Sequence, residues 1–241
     1  MKRYIGVPII MLLVLQLACA VSLPEITTGS GNIVTLEESF TGFSTLDISH
    51  AFDVEVQQGE EFSVIIRVDD SFVDELDVGV QDGVLKIGFQ EDFNYDFTNS
   101  SAEAEITMPE LEAIDLSGAS RARISGFSSN MPFAADVSGA SALRGEIEAG
   151  DTMMDVSGAG SVDLSGSGAD LQADASGGST IDLAEFPVIN ATVVASGASN
   201  VTVNVTGTLN ADASGASGVT YLGNPTLGAI DISDASSVEA K

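Results

Sequence analysis

The sequence predicts an all-β protein, a parallel β-solenoid (β-helix) with rungs of about 19 residues and a less regular N-terminal β module. Three observations predict it. First, Ser-Gly-Ala-Ser or a close variant begins at Ser117, Ser138, Ser157, Ser176, Ser196, Ser214 and Ser233, at spacings of 21, 19, 19, 20, 18 and 19. Second, the residues one and three places before each copy are apolar, as in Ile114 and Leu116 or Met154 and Val156, while the residue between them is Asp in every copy but one, which has Val194. That alternation has period 2, the mark of a strand with one buried face. Third, the repeat is too short for a helix with two connections. It fits one turn of a coil of short strands with Gly at a corner, each turn lying about 4.8 Å over the last, so that seven copies extend for about 29 Å.

Each segment then has a reading. In residues 1–20, Lys2 and Arg3 precede an apolar run from Ile5 to Leu17, followed by Ala18-Cys19-Ala20. The run is short for a membrane span and has the layout of a signal peptide. Cleavage before Cys19 would leave a lipidated N-terminus, whereas cleavage after Ala20 would release the chain. Gln16 stands where a lipoprotein box usually has Leu. Residues 21–36 read as a linker. Residues 37–225 form the solenoid domain, irregular over 37–108 and regular over 109–225, and residues 226–241 form a terminal rung or cap.

Within the irregular part, Leu46 to Val54 repeats the pattern of Ile114 to Ala122, so the coil starts near residue 40. Phe62 to Val68 reads as a strand. Val78 to Val80 and Val84 to Phe89 read as two more, joined through Gln81-Asp82-Gly83. Ser71 to Leu76 has the length of one helical turn, and Glu103 to Met108 returns the chain to the coil.

Gly31-Asn32-Ile33-Val34, Phe40 to Ile48 and the serial Asp-x-Ser-Gly-Ala-Ser units resemble the auto-transporter adhesin head GIN domain family of exported bacterial proteins, over roughly residues 29–225. The units are broken at Gly178, Val194 and Asp234. The resemblance implies a parallel-helix-like envelope protein, often a lipoprotein, with a role in adhesion.

Composition limits the chemistry. Lys plus Arg is 8 against 36 Asp plus Glu, a net charge of −28. Such a chain repels nucleic-acid phosphates and anionic headgroups, so any membrane attachment runs through the signal peptide or a lipid anchor. One Cys and one His exclude a disulfide and a zinc cluster of the usual kind. Asp115, Asp136, Asp155 and Asp174 should project from successive rungs. Neighbouring unit charges at that spacing repel by about 0.9 kcal/mol even in water. Calcium is one way to relieve the ladder; the alternative is a solvated face whose carboxylates accept from Ser hydroxyls. No other cofactor is implied.

Phe93, Tyr95 and Phe97 alternate with Asn94 and Asp96 in what reads as a strand from Phe89 to Phe97. Their aromatic face is either core or a partner-contact stripe. His50 fills a corner position that Gly occupies elsewhere. A polysaccharide-acting β-helix enzyme is the rival reading, since paired acids cut sugars. A repeated Asp column is not an acid and a base in unlike environments, and no Gly-x-Ser-x-Gly elbow in a strand–helix context surrounds a serine. The sequence therefore points to a non-catalytic, exported envelope protein that is adhesin-like, binding or structural. A calcium-stabilised scaffold is a third reading. The partner is an envelope, matrix or host-surface ligand.

Overall fold

The computed structural model describes residues 26–91, 93–96 and 100–241. Two sheets enclose one apolar core, and over the repeats the chain alternates between them once per turn. The ten-stranded sheet runs, in spatial order, Leu76–Gln81, Val84–Phe89, Thr45–Ile48, Ala113–Leu116, Phe133–Val137, Thr152–Val156, Asp170–Ala175, Asn190–Ala195, Thr208–Ala213 and Thr226–Ile232. The eleven-stranded sheet runs Ile33–Glu38, Ser63–Asp69, Ala102–Met108, Asp53–Gln58, Arg121–Ser128, Ala142–Glu148, Ser161–Ser167, Thr180–Val188, Asn200–Val205, Gly218–Gly223 and Ser237–Ala240.

The early start of the coil is visible in the register. Leu46 pairs with Ile114 and Asp47 with Asp115 on one sheet, and Val54 pairs with Ala122 on the other. Strict alternation places Ile114, Leu116, Ala122 and Ile124 inside, all at most 4 % exposed. Burial of a full aliphatic side chain contributes about 1.5–3 kcal/mol, and each rung repeats that contribution with its own set.

The corners explain the Ser-Gly-Ala-Ser unit. Gly118, Gly139, Gly158, Gly177, Gly197 and Gly215 all have φ between 68° and 80°, a conformation that costs L-residues about 1–2 kcal/mol. They also stack. A Cβ on Gly158, Gly177, Gly197 or Gly215 would lie 2.6–2.8 Å from the carbonyl oxygen of the glycine one rung before. That close approach lets backbone N–H groups bond up the column: Ala159 to Gly139, Gly178 to Gly158, Ala198 to Gly177 and Ala216 to Gly197, each at 2.7 Å. The last serine of the unit is buried, as at Ser120, Ser199 and Ser217. The hydroxyls of Ser199 and Ser217 donate inward to the carbonyls of Ala175 and Ala195 on the preceding rung. At these two positions the serine hydroxyl donates to a backbone carbonyl. Where the unit departs from Gly, the corner keeps its shape at a cost: His50 and Ala51 have φ of 60° and 62°, and Asp234 has 57°.

The N-terminal module closes the first end of the coil. Leu76–Gln81 and Val84–Phe89 form an antiparallel hairpin, with Asp82 and Gly83 both at positive φ, the geometry of the favoured two-residue hairpin turn. The helical turn expected near residues 71–76 is a 3-10 helix, Asp70–Glu75.

Residues 21–36 are not a linker over their described part. Ile33–Glu38 pairs antiparallel with Ser63–Asp69, and Thr27–Thr28 pairs in parallel with Tyr95–Asp96. The reason is a contact between segments distant in sequence. Buried Asp69 accepts from the backbone N–H of Ser30 at 2.9 Å, of Gly31 at 2.7 Å and of Ser71 at 3.1 Å, and from the Ser71 hydroxyl. Burial raises its pKa, but these bonds outweigh burial and hold the carboxyl well below the usual range. Residues 226–241 add one more rung, in register through Asp212–Asp231 and Val219–Val238.

Candidate binding face

The outer face of the ten-stranded sheet carries the aspartate ladder, in which the copies at Asp47, Asp212 and Asp231 extend the run of Asp115 to Asp174. Asp47, Asp115, Asp136, Asp155 and Asp174 stand in unbroken register. Val194 interrupts it, and Asp212 and Asp231 resume it. Lys86 is the cation at one end, paired with Asp47 in register and bonded to Asp77 at 2.7 Å. The Asp47 copy was signalled by Leu46-Asp47-Ile48, which repeats Ile114-Asp115-Leu116 across a gap of 68 residues.

The eleven-stranded sheet handles charge differently. There one outward row reads Glu105, Glu55, Arg123, Arg144, Asp163 and Asp182. Arg123 forms an ion pair with Glu55, and Arg67 bonds Glu105 at 2.7 Å. Arginines thus relieve that row from within. From Asp47 to Asp174 the aspartate ladder contains no cation.

The consequence falls on the acidity of the ladder carboxyls. Partial burial, then Asp136 and Asp47, raise the Asp115 carboxyl above its ordinary pKa. Partial burial, then Asp136 and Asp174, do the same to Asp155. A carboxyl whose folded pKa is raised opposes folding at neutral pH, and that opposition fades as pH falls through the folded and then the unfolded pKa. Asp69 works in the opposite sense, stabilising above its unfolded pKa and losing that contribution as acid protonates it. The Asp155→Asn variant should therefore be more stable than the parent at pH 7 by about 1 kcal/mol at low salt, with the gain shrinking toward pH 3 and in high salt. Thermal unfolding of both proteins at the two pH values measures this. A gain that is equal at both pH values would show that charge is not the cause.

Among the described residues, no three carboxylates, cysteines or histidines converge into a group that would hold a metal ion. A ladder is a line of single carboxylates, one per rung, and not a cage. The calcium reading of Asp115, Asp136, Asp155 and Asp174 gains nothing from this geometry.

Beside the ladder lies a feature the sequence did not announce. At the corner where the strands of this sheet begin, an open groove of about 730 Å³ is lined by Met131, Pro132, Ala134, Met153 and Leu171, with Glu112, Asp151 and Asp170 among its walls. Met131 is 49 % exposed and Met153 51 % exposed. Thr152-Met153-Met154 contained the signal, since Met154 is the inward residue and alternation turns Met153 outward.

The aromatic segment corrects an expectation. Phe89 to Phe97 is not one strand. The strand ends at Phe89, the Phe93 N–H donates to the Gln90 carbonyl at 3.0 Å, and pairing resumes only at Tyr95–Asp96. The rings of Phe93 and Tyr95 are half-buried and lie 5.1 and 5.6 Å from Phe89, whose ring also meets Phe52 and Phe72. Both pack against the core. Phe97 lies outside the described residues, as does Cys19. His50 occupies the corner as expected, and its Nδ1 lies 2.7 Å from the Ser49 hydroxyl. Burial, then the charge on Lys86, lower its pKa.

With this geometry in place, comparison with known proteins gives a family. The family model described as "Putative auto-transporter adhesin, head GIN domain" matches residues 42–225. The chain belongs to this family. Its match ends at the last rung but one, so the terminal rung lies beyond it. Among solved structures, a putative adhesin of Bacteroides fragilis superposes with a TM-score of 0.83 at 17 % identity, covering 89 % of this chain and all of the other. A putative lipid binding protein of Parabacteroides distasonis gives 0.71 at 17 % identity, over 90 % of this chain and all of the other. A putative adhesin from the same species gives 0.63 at 16 % identity, over 90 % and 100 %. At such identities these neighbours establish the head GIN fold and no more. No curated protein matches the sequence. The family and its structural neighbours are of adhesin or lipid-binding description, and nothing among them favours an enzyme. Among the described residues, no helix is long and apolar enough to cross a membrane.

Proposed function

We propose that this chain is a non-catalytic binding protein of the cell envelope, exported by a signal peptide cleaved before Cys19, held by a lipid at Cys19, and presenting the outer face of its ten-stranded sheet to an extracellular partner. The observation that carries this reading is the contrast between the two sheets. One face mixes arginines into its acidic rows, whereas the other keeps an unrelieved aspartate ladder beside an exposed apolar groove. Like-charge rows that a protein does not neutralise are costly to keep, and exposed apolar patches mark sites of association. The carboxylates of the ladder repeat one environment rung after rung, unlike the acid and base of a glycosidase. Family membership agrees with an adhesin role.

Beads coated with the purified chain, set against matrix-coated surfaces and host-cell layers, test the binding role. Retention that is lost when Asp136, Asp155 and Asp174 are all changed to Asn supports it. Turnover of polysaccharide by the same preparation would replace it with the enzyme reading. Anchoring has its own test. The Cys19→Ala variant should move from the membrane fraction to the soluble fraction and lose metabolic labelling with fatty acid. An unmodified mature chain beginning at Val21 would show ordinary cleavage instead.

A further inference from the structure

We propose that the groove at Met131 and Met153 binds a cationic amphipathic polypeptide segment, with apolar side chains on the two methionines and Lys or Arg side chains on the carboxylates either side. The proposal rests on the binding role argued above and gives that role a location and a partner chemistry. Three observations lead to it.

The first is the apolar floor. Met131 and Met153 are about half exposed, Ala134 stands beside Met153 in register, and buried Leu171 of the next rung completes the lining. Thioether side chains are flexible and polarizable, so they adapt to varied apolar partners.

The second is the charge on both flanks. Ala134, Met153 and Gln172 form one outward row of the sheet, and Asp136, Asp155 and Asp174 form the next, two residues further along the same strands. Side chains two apart on a strand share a face at a separation of roughly 7 Å, so the ladder borders the groove on that side. Asp151 and Asp170 border it at the corner. No Lys or Arg lines it.

The third is the source of the cations. The other sheet has arginines of its own at Arg121, Arg123 and Arg144, whereas the ladder from Asp115 to Asp174, which borders the groove, has none in its row. A net charge of −28 draws cationic partners toward the whole rod, and the methionine floor selects among them those with an apolar side.

The probes are labelled short peptides. One alternates lysine and leucine, a second alternates lysine and serine, and a third alternates glutamate and leucine. Fluorescence anisotropy with the purified full chain should show tightest binding to the first, weakening with salt. Met153→Ser should weaken that binding roughly tenfold, about the transfer free energy of one partly buried side chain, and leave the melting temperature unchanged because the side chain is exposed. Asp151→Asn with Asp170→Asn should weaken it and flatten its salt dependence. Arg123→Ser, on the opposite sheet, should have no such effect.

Equal binding of the lysine–serine peptide would overturn the proposal in favour of unspecific attraction. So would indifference to Met153→Ser, or preference for the glutamate–leucine peptide or for vesicles of neutral phospholipid. If the peptide fails while coated beads still adhere, the groove assignment falls and the binding role stands. If beads fail while the peptide binds, the groove stands and the adhesive role falls.

Discussion

Gly177→Ala should destabilise the chain by about 2–3 kcal/mol or more, while Gly178→Ala, one residue away, should be neutral or slightly stabilising. At Gly177 φ is +74°, and an added Cβ would lie 2.7 Å from the Gly158 carbonyl oxygen, which is backbone and has no rotamer to yield. The left-handed conformation alone costs alanine about 1–2 kcal/mol. Relief of the clash needs the two rungs to part, which breaks the 2.7 Å bond from the Gly178 N–H to the Gly158 carbonyl and adds about 1 kcal/mol or more. At Gly178 the nearest atom to an added Cβ is 3.7 Å away and φ is not positive. Ala119, Ala140, Ala159, Ala198 and Ala216 already occupy the matching position in other rungs, so alanine there restores the repeat and reduces unfolded-state entropy, a gain of about 0.4–1 kcal/mol. Denaturant unfolding of the two variants checks the pair. Similar losses at both positions would mean that the corner column is not the constraint described.

Phe89→Ala should cost about 3–5 kcal/mol, the usual range for removing a buried phenylalanine. The residue is 1 % exposed, and its ring is the hub on which Phe52, Phe72, Phe93 and Tyr95 meet. In a solenoid each rung contacts chiefly its neighbours. The loss should therefore appear as early opening of the N-terminal module, with amide exchange rising over residues 76–89 before the rungs beyond residue 133. Uniform loss of protection along the whole chain would show one cooperative unit instead.

The regular rungs were legible because their constraint is local and repeated. One inward residue, one Asp and one corner glycine recur often enough to fix face, register and turn together, and the Asp47 copy could be recognised across a long insertion. The antiparallel pairing of Ile33–Glu38 with Ser63–Asp69 was not legible. Its cause is a contact between distant segments, sealed by the backbone N–H bonds of Ser30 and Gly31 to Asp69. Polar, Gly-containing residues 29–32 look like linker until that carboxylate is in place.

The aromatic alternation misled for a related reason. Period 2 was present in Phe93, Tyr95 and Phe97, but the turn at Gln90 broke the strand and the Phe89 cluster drew the first two rings inward. At the candidate site, the ladder followed from the repeat. The groove required knowing which rungs neighbour one another at the corner, because Met131 and Met153 are 22 residues apart and belong to adjacent turns.

On the proposed function, this rod stands on the outside of the cell with its acidic face available. Protease treatment of intact cells that make the full chain, followed by immunodetection, tests it most directly. The account predicts that the chain is cleaved or labelled on intact cells and stays with the membrane fraction until Cys19 is replaced. Protection in intact cells, with access gained only after the envelope is broken, would contradict it.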